Sequence, residues 1–84
     1  MKYRKKPVIV EAFQFGVDDV PDWFLLDERV VWGNKEGKTP LFCIIKTSSG
    51  LVTGDCGDYV IKGIDGEIYI CKATAFMMSY EEVY

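Results

Sequence analysis

The chain of 84 residues contains no histidine, and this absence removes several classes of enzyme. Without imidazole there is no Ser-His or Cys-His nucleophile pair, and no side chain whose ordinary pKa lies near neutrality. A phosphate-binding loop is lacking too, because Gly54-Asp-Cys-Gly57 has neither the spacing nor the lysine of that motif. The sequence therefore predicts a protein that is not an enzyme and has no catalytic residues, no cofactor and no metal site.

Pairs of carboxylates are the remaining candidates for chemistry. They occur at Asp18/Asp19, Asp55/Asp58 and Glu81/Glu82. Acidic side chains are mostly exposed, so such pairs are common on solvated surfaces and in turns. An enzyme that holds a metal ion with Asp55 and Asp58 is the alternative we rank last.

Cysteine is scarce and long apolar runs are missing. Cys43, Cys56 and Cys71 are an odd number at wide spacing, whereas a structural zinc site takes four Cys or His ligands. We predict that all three are small buried hydrophobic residues. No apolar run approaches the roughly 20 residues of a membrane span, and the run Pro7–Val10 is too short for a signal peptide. We expect a cytoplasmic protein with no membrane partner.

The apolar pattern predicts one domain, residues 1–84, dominated by antiparallel strands. We expect Pro7–Phe15 to be a central or doubly covered strand, because both of its faces are largely apolar. A helix of two to three turns should follow, capped by Asp18 or Asp19, with Pro21 in its first turn and its end near Glu28. Its buried stripe would be Val20, Trp23, Phe24 and Leu26. The alternative is that Trp23 and Phe24 form an exposed anchor for a partner.

The rest of the chain is predicted as short strands joined by turns. The predicted strands are Val30–Trp32, Leu41–Thr47, Leu51–Thr53, Tyr59–Lys62, Glu67–Lys72 and Ser79–Val83, with a loop at Gly33–Pro40, a turn at Gly54–Asp58 and one helical turn at Ala73–Phe76. Asp65-Gly66 is predicted as the centre of a type I′ hairpin turn. The predicted fold is α+β: a small antiparallel β roll or partly open barrel of five or six strands with one short helix.

Charge is unevenly distributed. Four basic residues lie within the first six positions, whereas the remaining chain carries six basic and thirteen acidic side chains. The basic arm could contact nucleic acid or an acidic partner, and the acidic body could imitate a nucleic acid. A solvated surface that keeps the protein soluble is the simpler interpretation. The candidate partner-binding residues are Lys2, Arg4, Lys5, Lys6, Asp18, Asp19, Asp22, Lys35 and Lys38.

Two segments resemble a family of small phage and prophage proteins marked by a Pro-Gly-Asp-Tyr motif (PGDYG). They are Met1–Phe15 and Gly57–Lys72, with Phe76 and Tyr80-Glu81 beyond the second. Cys56 stands where the motif has proline, and Ile70 and Ala73–Ala75 also depart from the expected pattern. The resemblance implies a phage or prophage accessory protein, located in the cytoplasm of a bacterial host. It supplies no catalytic residues.

The motif residues have a structural interpretation. Glycine allows the backbone conformation that the turn needs, and the aspartate side chain accepts hydrogen bonds from nearby backbone amides. Tyrosine begins the strand with a large buried ring and a hydroxyl that stays in water. We assign this role to Gly57, Asp58, Tyr59, Gly63, Asp65, Gly66 and Glu67. The alternative is a ligand-facing cluster of Asp58, Tyr59 and Lys62.

The preferred functional hypothesis is a non-enzymatic module that binds a host or phage protein, as an inhibitor or modulator. The alternative is a nucleic-acid-binding module, in which the basic arm follows the backbone and the strand aromatics Phe13 and Phe15 stack on bases. Exposed sheet edges would also allow a homodimer.

Overall fold

The computed structural model describes residues 1–4, 8–33 and 42–83, which contain six strands and two short helices. In chain order these are β1 (Glu11–Gln14), α1 (Asp22–Leu25), β2 (Val30–Gly33), β3 (Phe42–Thr47), β4 (Gly50–Asp55), β5 (Tyr59–Lys62), β6 (Ile68–Cys71) and α2 (Ala73–Ser79). The strands form two antiparallel sheets, ordered β1-β5-β6 and β2-β3-β4, and within the described ranges they do not close into a barrel. The predicted α+β class with antiparallel strands is confirmed.

The first sheet has β5 at its centre and β1 at one edge. Phe13 pairs with Val60, which pairs in turn with Ile70, and these three share the face that points to the core. The prediction that β1 is central or covered on both sides is therefore wrong. Its two-sided apolar pattern came partly from Val8 and Ile9, which precede the paired region and are exposed.

The second sheet has β3 at its centre. Ile45 pairs with Val30 and Val52, and Cys43 pairs with Trp32 and Gly54. A Cβ atom added at Gly54 would lie 3.0 Å from both Cys43 Sγ and Ile70 Cδ1. Since Ile70 belongs to β6, the absent side chain at position 54 lets the two sheets approach each other. The prediction that Gly54 lies in a turn is wrong, because β4 extends through it to Asp55.

The core lies between the sheets and is rich in aromatic rings. Phe24 is fully buried, with its ring edge-to-face against Phe13 at 5.0 Å and Trp32 at 5.2 Å between centroids. The buried cluster consists of Phe13, Phe15, Phe24, Cys43, Ile45, Val60 and Ile68. Since α1 places Phe24 at its centre, this helix closes the core although it is only four residues long.

Helix α1 is shorter than predicted, and its capping differs. Pro21 is the N-cap residue rather than part of the first turn, and the helix ends at Leu25. The Asp18 carboxylate accepts a hydrogen bond from the Gln14 amide at 2.9 Å, so it stabilises the turn after β1 instead of the helix start. Leu26 is exposed and does not extend the predicted buried stripe.

Three predictions near the C-terminus need correction. The β5–β6 turn centres on Ile64 and Asp65, because the Gly66 amide donates to the Gly63 carbonyl at 3.1 Å, one position earlier than predicted. The helical turn predicted at Ala73–Phe76 extends to Ser79 as α2. Residues 80–83 form no strand, so the prediction of one at Ser79–Val83 is wrong. Tyr80, the residue that follows α2, stacks on Phe76 with 4.8 Å between centroids.

The three thiols occupy different environments. Cys43 is buried, Cys71 is partly exposed and Cys56 is exposed, so the prediction of three buried cysteines is wrong for Cys56. Cys56 lies in the turn between β4 and β5. None of the helices in the described part of the chain is long and apolar enough to cross a membrane. The predicted loop at Gly33–Pro40 lies outside the described residues, apart from Gly33 in β2.

Candidate functional site

The outer edge of β1 carries backbone groups that face away from the sheet. The Phe15 amide donates to the Asp58 carbonyl at 2.8 Å and therefore points toward β5. The Gln14 amide points the other way, to Asp18. Because N–H and C=O groups alternate between the two sides of an antiparallel strand, Ala12 shares the outward side with Gln14. The backbone of Ala12 is thus directed to the open edge.

A shallow groove of about 540 Å³ runs along this edge. Strand β1 forms one wall, and the segment leading into α1 forms the other. Side chains that line the groove include Glu11, Asp18, Asp19, Pro21 and Trp23. Three carboxylates therefore surround a strand edge that can still donate and accept backbone hydrogen bonds.

One cation lies close to the groove. The Lys62 ammonium is 3.9 Å from the Glu11 carboxylate and 5.9 Å from the centroid of the Trp23 ring. Trp23 is half-buried, and its ring packs edge-on against Phe13 at 5.7 Å. The Trp23 ring is therefore held in place, and it already attracts one positive charge.

The candidate partner-binding residues are only partly brought together. Asp18 and Asp19 lie in the groove, whereas Asp22 is exposed at the start of α1 and does not line it. Lys2 and Arg4 are exposed on the N-terminal segment. The other four, Lys5, Lys6, Lys35 and Lys38, lie outside the described residues.

The motif residues Gly57, Asp58 and Tyr59 form a second polar cluster. The buried carboxylate of Asp58 accepts hydrogen bonds from the Asp55 amide at 2.9 Å and the Lys72 ammonium at 3.1 Å. This hydrogen bond from Lys72 to Asp58 raises the pKa of Lys72 above its usual value. Gly57, with φ of 97°, supplies the left-handed conformation that the turn requires.

The Tyr59 ring lies on the outer face of the first sheet. It stacks on Phe76 of α2, with 3.9 Å between centroids and 4° between ring planes. Lys62 contacts Trp23 on the opposite face of β5. The structure therefore does not bring Asp58, Tyr59 and Lys62 together as one ligand-facing cluster.

The remaining motif residues, Gly63, Asp65, Gly66 and Glu67, shape the β5–β6 turn. The Asp65 carboxylate accepts from the Glu67 amide at 3.0 Å and from the Tyr69 hydroxyl at 3.1 Å. The hydrogen bond from the Glu67 amide is the main cause of the lowered pKa of Asp65, and the hydrogen bond from the Tyr69 hydroxyl lowers this pKa further. Arg29 donates to the Gly66 carbonyl at 3.1 Å, so this turn also ties the start of β2 to the first sheet.

The residues named for the two alternative chemistries lie in different surroundings. Asp55 and Asp58 both lie within 4 Å of the Lys72 ammonium, and residues 1–4, 8–33 and 42–83 contain no group of three or more Cys, Asp or Glu side chains that could hold a metal ion. Phe13 and Phe15 are 4% and 1% exposed, so they cannot stack on bases as the nucleic-acid hypothesis proposed. Tyr3 is the exposed ring of the basic arm.

Scans against protein-family models, curated proteins and solved structures all return no match.

Sequence reasoning missed several parts of the groove. Glu11 was visible as the one charged residue within an apolar strand, which is a signal for a strand edge or a site. The helical spacing favours core packing for Trp23 over an exposed anchor, and its half-buried ring both packs on Phe13 and lines the groove. No sequence pattern indicates that the backbone groups of Ala12 are unpaired, because their pairing depends on which strands are neighbours in the sheet.

Proposed function

We propose that this protein is a non-enzymatic protein-binding module, and that its groove takes an extended, basic segment of a partner protein. The observation that carries the proposal is the outward-facing backbone of Ala12 beside the carboxylates of Asp18 and Asp19. Such an edge accepts a further strand through main-chain hydrogen bonds, while side-chain pockets provide selectivity.

Each wall of the groove supports a different part of this recognition. The carboxylates attract lysine or arginine and repel acidic segments, which favours specificity and fast association. Trp23 and Pro21 offer rigid apolar surface to the aliphatic part of a basic side chain. A peptide that alternates basic and apolar residues suits this arrangement, because alternate side chains of a strand point to opposite faces.

The biological setting is part of the proposal. We propose that the protein is a phage or prophage accessory protein that inhibits or modulates a host or phage factor. The support is the resemblance of Met1–Phe15 and Gly57–Lys72 to the PGDYG proteins, together with the groove itself.

Binding can be tested with two synthetic peptides of eight residues. One alternates Lys and Val, and the other alternates Glu and Val, each with a fluorescent label for anisotropy. We expect the basic peptide to bind and the acidic peptide not to bind at low salt. Asp19→Lys should weaken binding about tenfold, or about 1.4 kcal/mol, whereas Glu81→Lys, an exposed residue that does not line the groove, should leave binding unchanged.

The strand-addition mode has its own test. Ala12→Pro removes the outward N–H while the ladder to β5, which uses alternate residues, remains. We expect the variant to keep the circular dichroism spectrum of the wild type and to lose binding of the basic peptide. Equal binding by Ala12→Pro, or by the Glu-Val peptide, would contradict the proposal.

A further inference from the structure

The edge of β1 also suits a second copy of this chain. We propose that, in the absence of a partner, two copies pair their β1 strands antiparallel across a two-fold axis, so that each copy covers the groove of the other. This inference rests on the proposed function, because it names an occupant of the same groove and a way to regulate access to it.

The first observation is an unpaired extension of the strand. Val8 and Ile9 precede β1, and their side chains are 44% and 77% exposed. Both are β-branched residues with high strand preference, yet the ladder to β5 begins only at Glu11, where β5 reaches its last residue, Lys62. A second β1 along the open edge would pair this extension and cover its apolar surface.

The register of such a pair follows from the backbone directions. In an extended chain the residues with outward groups are Val8, Val10, Ala12 and Gln14. The Gln14 groups are already bonded within the turn that follows β1, which excludes a pair centred on Ala12. A pair centred on Glu11 would place two glutamates directly opposite each other, where like charges are destabilising. A pair centred on Val10 instead uses the outward groups of Val8, Val10 and Ala12 and leaves Gln14 in its turn, and it places Val8 opposite Ala12 of the second copy.

Charge complementarity favours the same arrangement. Lys2 and Arg4 precede the strand, whereas Asp18 and Asp19 follow it, and all four are exposed. In an antiparallel pair the segment before one strand runs toward the segment after the other. Each copy would therefore direct its cations toward the carboxylates of its partner, and two-fold symmetry repeats the contact.

The dimer is then a closed form of the binding module. Because the same edge cannot accept two strands, self-association and binding of a basic segment exclude each other. A basic partner must displace the second copy, so the apparent affinity for the partner falls as the protein concentration rises.

Charge exchange tests the dimer. The wild type should sediment as a dimer at tens of micromolar and shift to monomer as salt rises, since exposed charges are screened. Lys2→Glu and Asp19→Lys should each raise the dimer dissociation constant about tenfold, and mixing the two variants should restore a heterodimer. Glu81→Lys serves as the control with no change. A dimer dissociation constant that neither Lys2→Glu nor Asp19→Lys changes would overturn the proposed arrangement.

Cross-linking tests the register. In a background of Cys56→Ser and Cys71→Ser, Val10→Cys should form a disulfide between copies on mild oxidation, because directly opposite hydrogen-bonded residues have Cα atoms about 5.5 Å apart. Ile9→Cys should not, since Glu11 would lie opposite it. Efficient cross-linking of Glu11→Cys instead would overturn the register centred on Val10.

The two proposals fail separately. A wild type that stays monomeric at every concentration, yet binds the Lys-Val peptide, would overturn the dimer and leave the proposed function standing. A dimer that the peptide cannot dissociate, and that binds no peptide as monomer, would overturn the proposed function. The expected result is that the peptide converts dimers into peptide-bound monomers.

Discussion

The Lys72 ammonium donates a hydrogen bond to the buried carboxylate of Asp58, with 3.1 Å between Nζ and Oδ2. The same oxygen accepts from the Asp55 amide. Because Lys72 is the N-cap residue of α2, one carboxylate ties the β4–β5 turn to the start of the C-terminal helix. The Tyr59–Phe76 stack supplies the second contact between that helix and the first sheet.

Asp58→Ala should lower the free energy of unfolding by about 1–3 kcal/mol. The substitution leaves the Asp55 amide and the Lys72 ammonium without their shared acceptor, and losing the partner of a hydrogen bond costs about that much. Urea denaturation followed by circular dichroism measures it. Asp58→Asn should cost less, because its amide oxygen can still accept from Asp55. Equal losses for both variants would show that the charge of Asp58, rather than its oxygen, carries the effect.

Acid should weaken the protein through Asp27. The hydrogen bonds from Arg29, at 2.7 and 3.0 Å, hold the pKa of Asp27 below its usual 3.8. A carboxyl whose pKa is lower in the folded than in the unfolded chain contributes stability at every pH above its unfolded-state pKa. This contribution is lost as the pH falls through its folded-state pKa. The difference in unfolding free energy between wild type and Asp27→Asn should therefore shrink below about pH 3.8. A difference that stays constant between pH 2 and 6 would contradict this.

The cysteines should differ in reactivity toward iodoacetamide. Burial raises the pKa of Cys43 to about 11, so its thiolate is scarce at pH 8 and its sulfur is inaccessible. Cys56 is exposed and should be modified first in the native protein. Mass spectrometry of peptides after brief labelling distinguishes the sites, and labelling in urea should make all three react. Rapid native labelling of Cys43 would contradict the described core.

Phe24→Ala should cost about 3–5 kcal/mol, the usual range for a large aromatic removed from a core. Phe24 contacts Phe13 and Trp32, and no other helix residue is buried with it. Thermal denaturation followed by tryptophan fluorescence reports the loss. Leu25→Ala is a matched control in the same helix, because Leu25 is 55% exposed, and it should change stability by no more than about 0.5 kcal/mol.

Local sequence patterns predict the structure correctly where it depends on neighbours in sequence. The strand Tyr59–Lys62 has its predicted bounds, and Phe13 and Phe15 share one buried face because strand side chains alternate. Asp65-Gly66 marked the correct hairpin, and only the centre of the turn was displaced by one residue.

The groove could not be predicted in the same way. Asp18 and Asp19 were identified as candidate partner-binding residues, but nothing local showed that Asp18 would bond Gln14 rather than cap a helix. The sequence also could not show that β1 would be an edge strand. Its position depends on its pairing with β5, which joins Glu11 to Lys62, and these two residues are far apart along the chain.

The sequence by itself determined the α+β class, the alternation that buries one face of each sheet and the excess of carboxylates after the basic arm, because these depend on composition and on residues close along the chain. Only the tertiary structure decided that β1 lies at an edge and that its open backbone faces Asp18, Asp19 and Trp23. The physical reason is that contacts between residues far apart in sequence determine which strands pair. No type of side chain marks a strand whose backbone edge stays unpaired.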